Sequence, residues 1–180
     1  MKKIGMAMVA MVLVACSGSD EPADVGSGLA VERFDDFGSE HFADSDVQAI
    51  ISGTSTFAYE TFPATSGPHA ASWAPCGIYV EEVPEVFTVH SMEHGAVIVH
   101  HDPTLADTEL TAVYDTARRL GSHIVVTPRT GLAEPVVLTA WTVMARLGAV
   151  DTTAITEFWN GYGQQGPERL PCPIEIDQAP

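Results

Sequence analysis

The stretch Val86-Phe87-Thr88-Val89-His90-Ser91-Met92-Glu93-His94-Gly95-Ala96-Val97-Ile98-Val99-His100 decides how this chain is read. Two runs rich in β-branched residues, Val86 to His90 and Ala96 to His100, flank the short segment Ser91 to Gly95. β-Branched side chains favour a pleated backbone, so both runs are expected to be strands. Downstream, Asp107 to Leu120 reads as a helix. Leu110, Val113, Tyr114, Ala117 and Leu120 fall on one stripe, and Gly121 follows as a stop. Arg118 and Arg119 sit in its last turn, where the helix dipole favours cations. Ile124 to Thr127 is an expected strand, ended by Pro128. Val136 to Thr142 is another, although Leu138, Trp141, Met144 and Ala145 also fit a helix. Asp151 caps a last helix carrying Ile155, Phe158, Trp159 and Tyr162.

Upstream, Ser45-Asp46 followed by Val47, Ala49, Ile50, Ile51 and Gly53 reads as a short capped helix. Thr56 to Thr61 alternates enough for a strand, and Phe62 to Gly77 is a structured loop holding three prolines. The order β, β, α, β, β, α predicts a single α+β domain over residues 32–180. Its two main helices would pack on one face of a largely antiparallel sheet.

Composition narrows the functional classes. The 180 residues hold 8 Lys+Arg against 24 Asp+Glu, a net charge of −16. A nucleic-acid partner is excluded, because a phosphate backbone needs a basic face. Hydrophobic residues at 46% exclude a disordered chain.

The N-terminus reads as a targeting segment. Lys2 and Lys3 precede an apolar run from Ile4 to Ala15, too short to span a bilayer but right for a signal peptide. Residues 1–15 are therefore expected to be removed. Leu13-Val14-Ala15-Cys16 resembles the bacterial lipobox, which implies cleavage before Cys16 and lipidation of its thiol. Residues 16–31 are rich in Ser, Gly, Asp and Glu and read as a flexible tether. The expected location is the extracytoplasmic side of a membrane in the cell envelope, held through the lipid on Cys16. Cys76 and Cys172 then remain, an even pair in an oxidising compartment, and a disulfide is expected over two free thiols.

Four of the seven histidines, His90, His94, His100 and His101, lie close together; the others are His41, His69 and His123. His90 and His94 are four apart. On a helical turn that spacing puts both imidazoles on one face; on a strand it brings Met92 between them. A transition-metal ion needs about three protein ligands. His69, presented by the turn Thr65-Ser66-Gly67-Pro68-His69, is a third candidate.

Several long motifs carry a family resemblance. They are Pro63-Ala64-Thr65-Ser66-Gly67-Pro68-His69, Trp73-Ala74-Pro75, Gly77-Ile78-Tyr79 and Val89-His90-Ser91-Met92-Glu93-His94-Gly95. Val126-Thr127-Pro128-Arg129, Leu138-Thr139-Ala140-Trp141 and Gln165-Gly166-Pro167-Glu168 complete the set. The chain resembles the bacterial domain-of-unknown-function family 3105 from about His41 to Glu168. The resemblance implies an exported, often membrane-anchored domain and brings no reaction. It also implies His at positions 69, 90 and 94 and commonly one near 41. It does not require His100, His101 or His123, and its position 92 is usually Leu, so Met92 departs from the pattern.

The resulting expectation is a lipid-anchored metal-binding protein of the cell envelope, for copper or zinc capture or for catalysis at an open coordination position. His69, His90 and His94 are its ligands, with His41 as a fourth. Copper is slightly favoured over zinc because Met92 offers a thioether. A rival is a metal-dependent hydrolase. His90-Ser91-Met92-Glu93-His94 fits H-x-x-E-H, in which Glu93 would act as base on metal-bound water. That signature needs a helix, which the β-rich flanks oppose. Glu93 could instead orient a histidine. The remaining rival is a non-metal binding or assembly module whose histidines only hydrogen-bond. Gly161-Tyr162-Gly163-Gln164-Gln165-Gly166 spells G-x-G-x-x-G, but it follows a helix and precedes Pro167. It is read as a helix stop and loop, not a dinucleotide site.

Overall fold

A computed structural model describes residues 28–180. The expected signal peptide, Cys16 and most of the tether lie outside the described residues. The chain runs β1 (Glu32–Arg33), α1 (Asp44–Ile51), β2 (Gly77–Ile78), α2 (Glu85–Glu93), β3 (Val97–His101), α3 (Asp107–Leu120), β4 (Ile124–Pro128), β5 (Val136–Ala140), β6 (Val143–Leu147), α4 (Thr152–Tyr162) and β7 (Ile176–Asp177). The seven strands form one sheet in the order β1-β6-β5-β3-β4-β2-β7. The fold class is the expected α+β, and one domain holds all the described elements. From β1 through β6 and β5 to β3 the pairing is antiparallel. The other half was not foreseen, because β3, β4, β2 and β7 pair in parallel. The β3–β4 pair is parallel because α3 carries the chain back across the sheet between them.

Alternation along the central strands separates two cores. Val97 and Val99 of β3, Ile124 and Val126 of β4 and Leu138 of β5 face α3 and α4, packing with Val113, Ala117, Ile155 and Phe158. Leu29 and Val31 also pack on this core, so the ordered domain takes in the last residues of the expected tether. Ala96, Ile98 and Val125 face the other way, against Val89 and Met92 of α2 and the Cys76–Cys172 pair. The two main helices, α3 and α4, thus share one face as expected, and α2 covers the other. The element the sequence reading missed is α2.

Val86 to His90 is helix, not strand. Every residue of α2 from Thr88 to Glu93 is buried, and so is Val86. A helix buried all round shows no amphipathic stripe, so its β-branched residues were the only local signal. Packing on two sides outweighs their modest propensity cost. Pro84 stands before the first turn, where its missing N–H costs nothing, and Gly95 at φ 98° turns the chain directly into β3.

Thr56 to Thr61 forms no strand; the segment is irregular. Leu138, Met144 and Ala145 lie on the hairpin β5–β6, so the helical alternative there is discarded. The helix at 107–120 stands as read, closed by Gly121 in the left-handed conformation. Asp151 caps α4, its carboxylate accepting from the backbone N–H of Thr153 and Ala154. Cys76 and Cys172 form the expected disulfide, which ties the C-terminal segment beneath α2. Among the described residues no helix is long and apolar enough to cross a membrane.

Candidate metal centre

Four segments converge at the C-terminal end of α2. The helix itself carries His90 and Glu93, and His94 caps it. Helical spacing therefore decides the geometry, and the two imidazoles of His90 and His94 lie with ring centres 4.5 Å apart. The loop before β2 supplies His69. Gly67 in that loop has φ 124°, and a side chain there would press on the Tyr59 ring at 3.2 Å. Tyr59 holds the turn by donating its hydroxyl to the Pro68 carbonyl. Segment 38–42 runs beside this loop. His69 N–H donates to the Glu40 carbonyl and Phe42 N–H donates to the His69 carbonyl. That bridge brings the His41 ring to 5.0 Å from His69 and 5.2 Å from His90. The loop after α4 supplies Glu168.

Backbone carbonyls fix two of the ring tautomers. His69 Nδ1 lies 2.9 Å from the Gly67 carbonyl, and His90 Nδ1 lies 2.8 Å from the Ala70 carbonyl. Each Nδ1–H therefore donates outward, and each Nε2 turns inward as a ligand atom. His69 Nε2 lies 3.1 Å from Glu93 Oε2, with both side chains almost wholly buried, at 0% and 7% exposure. His90 Nε2 lies 3.0 Å from His94 Nε2, close to the roughly 3.3 Å edge of a tetrahedral zinc site. His94 Nε2 is also 3.2 Å from Glu168 Oε2.

The donors form two overlapping groups. His41, His69, His90 and Glu93 offer ligand atoms that all lie within 4.8 Å of one another, and so do His90, His94 and Glu168. Burial holds the pKa of both His90 and His94 below the ordinary histidine value. The neutral form that a metal requires is thus the resting form. The indole of Trp73, half-exposed, stands edge-on 4.8 Å from His94, and Trp141 stands 6.4 Å from His69.

Every predicted site histidine reaches this cluster, but His94 and His41 fall in different groups. Glu93 sits among the ligand atoms instead of behind them. Met92 does not join: its side chain packs in the core with Val89, Ala96 and Ile98. His100 pairs with Thr139 Oγ1, His101 with the Asp102 carbonyl and His123 with the Leu170 carbonyl, all away from the cluster.

Glu168 was missed as a site residue. Its motif was visible, but only the fold shows that the rejected G-x-G-x-x-G loop straps across the end of α2. Glu168 N–H donates to the Glu93 carbonyl and Gln164 N–H to the Gly95 carbonyl. The strap lies so close that a Cβ on Gly166 would fall 2.2 Å from the Glu93 carbonyl oxygen. A separate pocket of about 530 Å³ opens at the other end of α2, between Phe57, Phe62, Glu85 and Arg129. It contains no histidine, and Arg129 is already paired with Glu82 and Glu85.

The chain belongs to the family described as protein of unknown function (DUF3105), which matches residues 51–173. The match takes in His69, His90, Glu93, His94 and Glu168 and begins after His41. No curated protein and no solved structure matches the chain.

Proposed function

We propose that this protein is a lipid-anchored metal-binding protein of the bacterial cell envelope, taking one zinc or cupric ion in its histidine cluster. One observation carries the reading. The Gly67 and Ala70 carbonyls lock His69 and His90 so that both Nε2 atoms converge with the Glu93 carboxylate in a buried site. Carbonyls that orient imidazoles this way are the usual outer support of a metal centre. Three imidazoles and a carboxylate suit zinc and copper(II). With Met92 in the core, the thioether argument for the cuprous state falls away. The Lys2-Lys3 start, the apolar run and Cys16 support the envelope location, and the disulfide is in keeping with an oxidising compartment.

A hydrolase is the second reading, favoured by one finding: H-x-x-E-H does lie on a helix, so the objection from β-rich flanks no longer holds. Glu93 would then be a base on metal-bound water. Its contact with His69 Nε2 speaks for Glu93 as a ligand instead.

Elemental analysis of protein purified from the envelope tests the proposal. About one zinc or copper per chain is expected, and a His90→Ala variant should keep its fold and lose most of the metal. Protein with no metal as purified, and none after soaking in either ion, would leave a module whose histidines only hydrogen-bond.

A further inference from the structure

We infer that the cluster is two alternative positions for a single ion, an outer receiving position and an inner holding position, with His90 as the pivot between them. This rests on the reading that the cluster binds metal. The inner group is His41, His69, His90 and Glu93; the outer group is His90, His94 and Glu168. His90 is the member they share. Its Nδ1–H is committed to the Ala70 carbonyl, so it has one lone pair to give. It cannot bridge two ions, and the two positions cannot both be complete at once.

The positions differ in the ways a transfer needs. The inner one offers four donors, enough to close a tetrahedral zinc shell. The outer one offers three and leaves a place for water or for a ligand still attached to the arriving ion. The outer carboxylate is accessible, since the Glu168 side chain is 47% exposed, whereas the inner carboxylate, Glu93, is buried with His69 and only His41 of that group reaches the surface. Each position holds one carboxylate beside its imidazoles, so a divalent ion keeps the same carboxylate countercharge as it moves. The step is a ligand exchange. His90 stays bonded, His94 gives way to His69 and Glu168 gives way to Glu93, while His41 completes the shell. The Gly166 strap keeps Glu168 at hydrogen-bonding distance from His94, which fixes the outer position relative to the inner one.

Stopped-flow loading with cobalt(II) or zinc(II), and removal by a chelator, tests this on the purified oxidised protein. Wild type should bind one equivalent. Glu168→Gln and His94→Gln should slow loading and removal alike by about tenfold or more, with affinity changed only a few-fold. His69→Gln and His41→Gln should lower affinity by about 100-fold while the first loading phase stays fast. Circular dichroism confirms that each variant is folded. Two equivalents bound per chain would overturn the inference. So would unchanged rates in Glu168→Gln, which would mean that the ion arrives past His41. Equal affinity losses in His94→Gln and His69→Gln would show one undivided site. Wild type that binds no ion would instead overturn the proposed function itself.

Discussion

Acid should unfold this domain partly through one histidine outside the histidine–carboxylate cluster. His100 lies in the middle of the sheet on β3, 2% exposed, with Nε2 against Thr139 Oγ1 and no partner for Nδ1. Burial, with the Arg129 and His101 charges adding to it, pushes its pKa down to about 3 from 6.5. The unfolded chain therefore takes up this proton first, and protons favour unfolding. The contribution is complete above about pH 6.5 and is lost progressively as the pH falls toward 3. The slope is about 1.4 kcal/mol per pH unit. At about pH 4.5 roughly 3 kcal/mol should be gone, which lowers the melting midpoint by about 6–12 °C for a domain of this size. His100→Gln keeps a polar group opposite Thr139 and titrates nothing. Urea or thermal unfolding of both proteins at neutral pH and at about pH 4.5, with a chelator present, isolates the term. Burial also lowers His90, His94 and His101, but they are present in both proteins and cancel. The wild type should lose more stability than the variant by about the stated amount. Parallel curves would refute the account of His100 as a buried neutral base.

The disulfide closes a loop with a sequence separation of 96. Cys172→Ser should therefore cost about 4–5 kcal/mol on the chain-entropy account. The melting midpoint should fall by about 8–20 °C, and an unchanged midpoint would contradict it. Gly166→Ala places a Cβ among the backbone atoms of Met92, Glu93 and Gly95. The strap must shift, at a cost of about 1–3 kcal/mol, and ion loading should slow as it does in Glu168→Gln. A variant with wild-type stability and loading would show that the strap tolerates a side chain.

The sequence alone determined the features that local chemistry decides. Helix α3 was legible because its exposed face leaves a clean apolar stripe and Gly121 can adopt the left-handed stop. Asp151 announced α4 because a carboxylate satisfies free N–H groups whatever lies around it. The disulfide followed from parity and compartment. His69, His90 and His94 were legible as candidate donors from spacing and turn chemistry, and His41 from the family resemblance, and all four reach the cluster. Tertiary structure decided what depends on burial from several sides. Residues 85–93 had no stripe to show because neighbours cover the helix all round, so a helix was read as a strand and the H-x-x-E-H geometry was misjudged. The direction of the Met92 side chain, the parallel half of the sheet and the place of Glu168 belong to the same class. Each is set by contacts between segments far apart in the chain, and no window of sequence contains both partners.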